Sequence, residues 1–330
     1  MKTARAETAV TPDDIERAHR RLTDLVVRTP LLASHALDAL TGGHIHIKAE
    51  NLQRVGAFKI RGACNRLSQL SAAEKQRGVV AFSSGNHSQG VACAAQILDM
   101  QATLVMPSDA PQVKIDGTRG YGADIRFYDR ETEDREQLCR ELAERSGAVV
   151  VPAYDDPDVI AGQGTCGFEI QGQLAGRVPD MLLCPCGGGG LLAGTATALR
   201  AAFPEMEVWG VEPEGFEDHR LSLATGQRVA LRGERHSFCD ALLARMPGEL
   251  TWAINSRLAS GFLAVSDDDV AYAISYAWRY LKLVLEPGGA VALAALLRRK
   301  IDVTGQRVCI VLSGGNIDGT LFTQCLQRYA

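Results

Sequence analysis

The 330-residue sequence contains no long hydrophobic run and no strong excess of either charge. It has 35 Lys and Arg against 39 Asp and Glu, which gives a formal net charge of −4. A balance this close gives no signal for binding to nucleic acid or to an anionic membrane surface. Because no apolar stretch approaches the ~18 residues of a membrane helix, we expect neither nucleic acid nor membrane among the partners.

The N-terminus lacks the apolar segment of a secretory signal peptide. Its alanines and arginines faintly suggest a transit peptide, but the acidic residues Asp13, Asp14 and Glu16 argue against one. We interpret residues 1–10 as a short disordered leader and expect the protein to lie in the cytoplasm.

The cysteines do not suggest a disulfide framework. There are nine of them, an odd number scattered through apolar segments, and this favours reduced thiols in the cytoplasm. The closest pair, Cys184 and Cys186, has no second Cys/His pair at zinc spacing, which argues against a metal site there.

Short β-branched segments alternate with amphipathic stretches in two series along the chain. The first series predicts strands at 78–82, 102–106, 124–128 and 148–151, and the second predicts strands at 181–184, 207–211 and 307–312. Alternation of this kind indicates α/β domains, two here, with parallel sheets covered by helices on both faces. Ligands of such folds lie beyond the carboxyl ends of the strands.

One lysine stands out because its neighbours are apolar. Lys59 follows Ala57 and Phe58 and precedes Ile60, so partial burial would lower its pKa and favour a Schiff base. A lysine near a glycine is otherwise usually a solvated surface residue, and this stretch alone leaves both interpretations open.

Three loops follow predicted strands and carry residues that bind anions or polar rings. Residues 83–90 place hydroxyls and amides at a helix N-terminus, which suits a carboxylate but is also a common helix cap. Gly187, Gly188, Gly189 and Gly190 favour a phosphate, although they also fit a dinucleotide motif loosely. Ser313 follows a buried strand, where it either faces a heterocyclic nitrogen or is simply part of a turn.

Together these four segments resemble the fold-type II pyridoxal-phosphate enzymes, and specifically the serine/threonine dehydratase and serine racemase family. The resemblance extends from Thr11 to about Gln324 and includes residues 160–165 and 285–290. It implies a tryptophan synthase β-like fold of two three-layer parallel-sheet domains, with the cofactor in the cleft between them. Residues 1–77 and 156–330 would form the large cofactor-binding domain, and residues 78–155 a small mobile domain with the substrate loop.

The resemblance implies pyridoxal 5'-phosphate as cofactor and assigns residues to it. Lys59 matches the Schiff-base lysine, and Phe58 matches the residue that lies against the ring. Asn86 matches the partner of the ring hydroxyl, Gly187–Gly190 match the phosphate cradle, and Ser313 matches the residue facing the pyridine nitrogen. A serine at that position leaves the nitrogen largely unprotonated, which suits elimination better than reactions that need a long-lived carbanion.

The loop of Ser83, Ser84, Gly85, Asn86 and His87 matches the segment that binds the substrate α-carboxylate. The implied reaction is α,β-elimination from a 3-hydroxy amino acid, which gives a 2-oxo acid and ammonia. The family's lysine acts as the base at Cα, and His87 is expected to support the loop. A homodimer or homotetramer is expected because relatives usually form one.

Ser84 and Arg135 leave the substrate and the reaction partly open. Serine racemases have a serine at the position of Ser84, where many dehydratases have alanine, so a second base and racemisation are possible; a simple hydrogen-bonding role is the alternative. Arg135 aligns with an arginine that reaches toward the distal end of the substrate in serine racemases. If it faces the site, 3-hydroxyaspartate becomes plausible; otherwise it is a solvated helix residue.

A divalent-cation site is implied by the acidic segment at 212–218. Glu212 and Asp218 would supply carboxylates and Phe216 its backbone carbonyl, an oxygen-rich set suited to Mg²⁺ or Ca²⁺. The alternative is a solvated acidic turn.

The chain departs from the family at residues 237–241, which read Ser-Phe-Cys-Asp-Ala where relatives often have Thr-x-Ala-Asp-Gly. Ala241 and the following Leu242 and Leu243 change a wall near the ring and leave the substrate open among hydroxyaspartate, phenylserine and hydroxyectoine-derived compounds. An NAD-binding oxidoreductase built on the glycine loop and a non-catalytic sensor are the remaining alternatives.

Overall fold

A computed structural model describes residues 10–329. The predicted leader therefore lies outside the described residues except at Val10, where the prediction is wrong. Val10 is buried and belongs to the same apolar cluster as Ile15 and Ala18. It immediately precedes Thr11, the N-cap of the first helix, so Val10 and Ile15 occupy the two positions of a hydrophobic staple.

The elements alternate along the chain as the sequence predicts. The α-helices of the described residues are α1 (Pro12–Leu22), α2 (His35–Thr41), α3 (Lys59–Ser68), α4 (Ala72–Arg77), α5 (Asn86–Ile97), α6 (Gln112–Gly120), α7 (Arg135–Ser146), α8 (Pro157–Gln173), α9 (Gly190–Ala202), α10 (Asp218–Thr225), α11 (Glu249–Leu258), α12 (Asp267–Tyr276), α13 (Pro287–Leu297) and α14 (Gly319–Arg328). The strands are β1 (Leu31–Ala33), β2 (His44–Ala49), β3 (Val79–Phe82), β4 (Ala102–Pro107), β5 (Asp124–Tyr128), β6 (Val149–Val150), β7 (Met181–Pro185), β8 (Glu207–Pro213), β9 (Gly261–Val265) and β10 (Arg307–Leu312). Two short 3₁₀ turns, Glu50–Leu52 and Asp240–Leu242, and a π-helix, Ala277–Leu281, complete the set.

The strands form two sheets, which confirms the α/β fold class. The larger sheet has the order β1-β2-β10-β7-β8-β9 and the smaller one the order β5-β4-β3-β6. All pairings are parallel except that of β1, which lies antiparallel to β2 at the edge of the larger sheet. Strands β1, β2 and β9 were not predicted from the sequence.

Side chains of β7 show that the larger sheet is covered on both faces. Met181 and Leu183 belong to one apolar cluster, whereas Leu182 and Cys184 belong to another. Successive side chains of a strand point to opposite faces, so both faces are packed against helices. None of the helices in residues 10–329 is both long and apolar enough to cross a membrane.

A buried ion network fixes α3 against β2 and α8. The Arg61 guanidinium contacts Glu50 and Glu169 through four N–O distances of 2.8 Å. Lys48 Nζ lies 2.6 Å from the second of these carboxylates, and all four side chains are buried. Because Lys59 begins the same helix, this network also sets where its backbone lies.

All nine cysteines are buried and free. Burial is the main cause that raises the pKa of each thiol of the closest pair, Cys184 and Cys186. A raised pKa keeps a thiol protonated and unreactive toward electrophiles.

Candidate active site

Loops at the carboxyl ends of β3, β7 and β10 meet around the start of α3. Phe58 N donates a hydrogen bond to Ser313 O at 3.1 Å, and Ala57 pairs with Gly314 across an isolated bridge. On the other side, a Cβ at Gly90 of α5 would lie 3.0 Å from the Lys59 carbonyl carbon. Lys59 therefore lies between the loop after β10 and the helix that follows β3.

The Lys59 side chain is held by a single backbone acceptor. Its Nζ donates to Ala153 O at 2.7 Å and lies 5.2 Å from the centre of the Phe58 ring. Burial lowers the pKa of Lys59 to about 8, even though the Glu286 carboxylate acts to raise it. A larger fraction of this amine than of an ordinary lysine is therefore neutral near pH 7, and the neutral form is the one that acts as a nucleophile or a proton acceptor.

The predicted carboxylate loop connects β3 to α5. Gly85 precedes α5, and its N–H donates to Ser83 Oγ at 3.1 Å. Ser84 is half-buried between them, and Asn86 begins the 12-residue helix. The loop thus places two hydroxyls beside a helix N-terminus, an arrangement that favours an anion.

His87 is buried in the first turn of α5. Its Nε2 lies 3.0 Å from Val151 O, the residue after β6. Burial, and then the charge of Lys59, lowers the pKa of His87 to about 3. The ring is therefore neutral, and its contact ties the carboxylate loop to the segment that leads to Ala153.

A charged cluster that was not predicted from the sequence lies behind this loop. Lys114 Nζ contacts Asp240 at 2.7 Å and Glu286 at 2.9 Å, and the Asn86 amide donates to the same Glu286 carboxylate. A Cβ at Gly85 would overlap the Lys114 stem, so the lysine passes directly over the loop. The burial of Lys114 was not predicted because, in the sequence, it resembles a solvated lysine of an amphipathic helix.

The four glycines form the turn between β7 and α9, and two of them have no room for a side chain. A Cβ at Gly188 would overlap the Tyr154 ring. Gly189 has φ +90°, and a Cβ there would lie 2.6 Å from Asn255 Nδ2. Glycine is thus required by both backbone conformation and space.

The carbonyls of this loop are held from behind by α11. Thr251 Oγ1 donates to Gly188 O at 2.7 Å, and Asn255 Nδ2 donates to Gly189 O at 3.2 Å. These residues are one helical turn apart and therefore share a face of α11. With its carbonyls turned toward α11, the loop can present amides on its other side, as a phosphate cradle requires.

Ser313 and the altered wall lie next to each other. Ser313 is buried, and its Oγ lies 3.5 Å from Gly288 O. A Cβ at Gly288 would lie 3.2 Å from Ala241 Cβ, and one at Gly187 would lie 3.0 Å from Leu242 Cα. The Ala241–Leu242 segment therefore separates the glycine loop from the start of α13.

Arg135 is exposed at the first position of α7. Its guanidinium carbon lies 5.2 Å from the centre of the Phe82 ring. Because Phe82 directly precedes Ser83, this cation lies at the rim of the carboxylate loop.

The acidic segment forms a buried cluster. Ligand atoms of Glu212, Asp218 and His219 all lie within 4.8 Å of one another, and Phe216 is buried in the turn between them. Neither Asp218 oxygen nor His219 Nδ1 has a hydrogen-bond partner. Burial raises the pKa of Asp218 to about 7 and that of Glu212 above its usual range. The unsatisfied Asp218 carboxylate beside Glu212 fits a divalent cation. His219, which directly follows Asp218, was not predicted.

Comparison with known proteins gives one consistent result. A family model described as "Pyridoxal-phosphate dependent enzyme" matches residues 22–314. The chain is 46% identical over 305 residues to an L-threo-3-hydroxyaspartate ammonia-lyase of Pseudomonas sp, covering 92% of this chain and 95% of that protein. It is 42% identical over 317 residues to the L-threo-3-hydroxyaspartate ammonia-lyase of Saccharomyces cerevisiae, with coverages of 96% and 94%.

Comparison with solved structures agrees with the family match. A solved structure of maize serine racemase matches with a TM-score of 0.91 and 33% identity, covering 97% of this chain and 98% of the other. This similarity confirms the fold-type II architecture. Together with the family match, it leaves the dinucleotide interpretation of the glycine loop without support.

Proposed function

The chain belongs to the pyridoxal-phosphate dependent enzyme family, and from this premise we propose that it is an ammonia-lyase for a 3-hydroxy amino acid with an acidic side chain. The substrate loses water and then ammonia, and the product is a 2-oxo acid. The observation that carries the proposal is the position of Lys59 between the loop after β10 and the helix that follows the carboxylate loop, where burial lowers the pKa of its amine to about 8.

The cofactor would be held by residues from all three loops. Gly187–Gly190 would bind its phosphate, Lys59 would bind it covalently, Asn86 would contact the ring hydroxyl, and Ser313 would face the ring nitrogen with Phe58 against the ring. The steric fit of the glycine turn supports this assignment, because a Cβ at Gly189 would lie 2.6 Å from Asn255 Nδ2. When bound, the cofactor withdraws electrons from Cα and so makes the Cα proton more acidic.

The protein's own groups supply the proton transfer and the orientation. Ser83, Ser84 and the first amides of α5 bind the α-carboxylate, which fixes the Cα–H bond relative to the lysine. Lys59 Nζ accepts the Cα proton, a step that one positioned base accelerates by roughly 10²–10⁴-fold. The electron pair left at Cα forms a Cα–C3 double bond as the C3–O bond breaks, and the hydroxyl leaves as water with the proton that Lys59 accepted. The resulting enamine tautomerises to an imine, whose hydrolysis gives the 2-oxo acid and ammonia.

The acidic side chain of the substrate is assigned to Arg135. Its exposed guanidinium lies beside Phe82, one residue before the carboxylate loop. The two relatives named for L-threo-3-hydroxyaspartate support this choice over serine, threonine or phenylserine.

A second candidate activity, racemisation of a serine- or aspartate-type amino acid, is favoured by Ser84. This residue is half-buried in the carboxylate loop. A hydroxyl on the cofactor face opposite Lys59 could return a proton to Cα from the other side. The similarity to maize serine racemase supports keeping this activity in the test.

We further propose Mg²⁺ or Ca²⁺ at the Glu212–Asp218 cluster, with the Phe216 carbonyl as a third ligand. The partnerless oxygens of Asp218 support this cation.

The strands of the smaller sheet all lie between residues 79 and 150, which supports residues 78–155 as a small domain and residues 1–77 and 156–330 as a large one. A homodimer or homotetramer is supported by the exposed Trp278 and Tyr280, and the free thiols support the cytoplasm.

The test is release of 2-oxo acid and ammonia from the purified holoenzyme. The panel contains L- and D-serine, L-threonine, threo- and erythro-3-hydroxyaspartate and phenylserine, with chiral analysis of the remaining substrate. We expect turnover with 3-hydroxyaspartate and no turnover with Lys59→Ala. Lys59→Ala at the wild-type rate refutes the mechanism, and inversion faster than oxo-acid release moves the assignment to racemase.

The role of Arg135 is tested with a matched control on the same helix. Arg140 is similarly exposed and forms an ion pair with Glu136, one turn away. Loss of a hydrogen bond to a charged group corresponds to roughly 10–100-fold. We therefore expect Arg135→Ala to lower kcat/KM for 3-hydroxyaspartate by that factor and to leave serine unchanged, whereas Arg140→Ala changes neither. Equal effects of both variants would reject the assignment.

A further inference from the structure

Two buried side chains connect the acidic cluster to the glycine loop. Asn255 Nδ2 donates to Gly189 O at 3.2 Å and lies 3.3 Å from His219 Nε2. Asn255 and His219 are fully buried. A Cβ at Gly189 would lie 2.6 Å from both of them, so the three residues are in close contact.

The His219 ring has one nitrogen on each side of this connection. Nε2 faces Asn255, while Nδ1 lies 3.6 Å from Asp218 Oδ2 and 3.9 Å from Glu212 Oε1. The ring also packs against Phe262, with ring centres 5.3 Å apart, which limits how it can turn. A movement of the cluster therefore cannot be absorbed by free rotation of the imidazole.

We propose that His219 and Asn255 couple occupancy of the cation site to retention of the cofactor phosphate. A cation on Glu212 and Asp218 would fix the first turn of α10, because Asp218 begins that helix. His219 is the next residue, so its ring is fixed as well. Asn255 then keeps the Gly189 carbonyl turned toward α11 and the loop amides turned toward the phosphate.

This inference rests on the cofactor and cation sites of the proposed function, but not on the identity of the substrate. Coupling between two ligands is reciprocal, and its usual range is about 5–150-fold in affinity. We expect Mg²⁺ to tighten cofactor binding by at least about fivefold, and the cofactor to tighten Mg²⁺ binding by the same factor.

The same helix provides a control that touches the loop but not the cluster. Thr251 Oγ1 donates to Gly188 O at 2.7 Å, one turn before Asn255. Thr251→Val should weaken cofactor retention to the same extent with and without Mg²⁺. Asn255→Ala should weaken retention and also abolish its dependence on Mg²⁺.

The experiment measures bound pyridoxal phosphate by absorbance after the holoenzyme is dialysed against defined free cofactor, with Mg²⁺ or with EDTA. The decisive quantity is the ratio of the two dissociation constants in the wild type, Thr251→Val and Asn255→Ala. If Asn255→Ala does not fold, His219→Phe keeps a ring against Phe262 and should also give a ratio near one.

A wild-type ratio near one, or a variant lacking Asn255 or His219 with the full wild-type ratio, overturns the proposal. Turnover is not the readout, so either outcome leaves the proposed lyase activity intact. A wild-type protein that binds no pyridoxal phosphate under either condition overturns this proposal and the proposed function together.

Discussion

Replacement of Arg61 by methionine should destabilise the protein far more than any surface substitution. The guanidinium is fully buried and makes four contacts of 2.8 Å with Glu50 and Glu169. Methionine preserves much of the volume but removes the charge. Among residues 10–329, Lys48 then remains as the only cation paired with either carboxylate, and it contacts Glu169. Removal of one partner of a buried ion pair costs about 3–5 kcal/mol, which corresponds to a Tm lower by roughly 5–10 °C in a chain of this size.

Arg66 provides the matched control because it lies on the same helix. It contacts Asp156 at 3.4 Å and Asp158 at 3.8 Å, and its side chain is 22% exposed. Partly exposed pairs contribute about 0–1 kcal/mol, so Arg66→Met should lower Tm by roughly 2 °C or less. Equal shifts for Arg61→Met and Arg66→Met in thermal unfolding would refute the reasoning.

The pH dependence separates charge from packing. Burial acts to raise the pKa of Glu50, but the Arg61 guanidinium reverses this and holds it below 4.5 in the native protein. In the wild type this carboxylate therefore stabilises the fold above its unfolded pKa, and the contribution is lost as the pH falls through the folded pKa. Without Arg61, only Lys48 and the Thr29 hydroxyl oppose the effect of burial, so the folded pKa of Glu50 rises and the variant gains relative stability on acidification. The Tm difference should narrow between pH 8 and about 5; a constant difference would indicate lost packing instead.

Three further predictions concern the site. Gly188→Ala places a methyl group against Tyr154. Overpacking costs about 1–3 kcal/mol, so bound cofactor measured by absorbance should show an affinity roughly 5–150-fold weaker. Unchanged cofactor affinity would reject the steric argument. Ser84→Ala should weaken carboxylate binding for both reactions but lower racemisation about 100-fold more than elimination, as measured by chiral analysis. An equal loss of both would indicate that Ser84 only binds the carboxylate. The rate at which pyridoxal phosphate binds to the cofactor-free protein should rise with pH, with a midpoint at about 8, because only neutral Lys59 reacts. Glu286→Gln should lower this midpoint, since Glu286 raises the lysine pKa. A midpoint near 10 would contradict the effect of burial.

Features coded within a short stretch of sequence were predictable. The strands before the three loops are short, mostly apolar segments, and the glycine turn at 187–190 can be recognised without information from distant residues. The steric reason for those glycines was not predictable. It depends on Tyr154 and Asn255, which reach the loop from other elements.

Interactions between distant residues left no such signal. The Arg61–Glu169 contact joins positions 108 residues apart, and charged side chains in sequence are usually solvated, so burial of both could not be expected. Lys114 and Asp240 likewise meet across 126 positions. His219 could have been predicted, since it adjoins a predicted ligand and imidazole is a common metal-binding group.

Because every cysteine is buried, the rate at which each thiol can be labelled reports how often its part of the folded protein opens. Nine thiols stay out of reach while both sheets are packed, so a thiol-labelling reagent added to the native enzyme should react only as fast as segments open. Cys93 and Cys139 pack with the smaller sheet, whereas Cys184 and Cys309 lie in the larger one. The order in which these four positions become labelled would therefore show which sheet opens first, without any introduced probe.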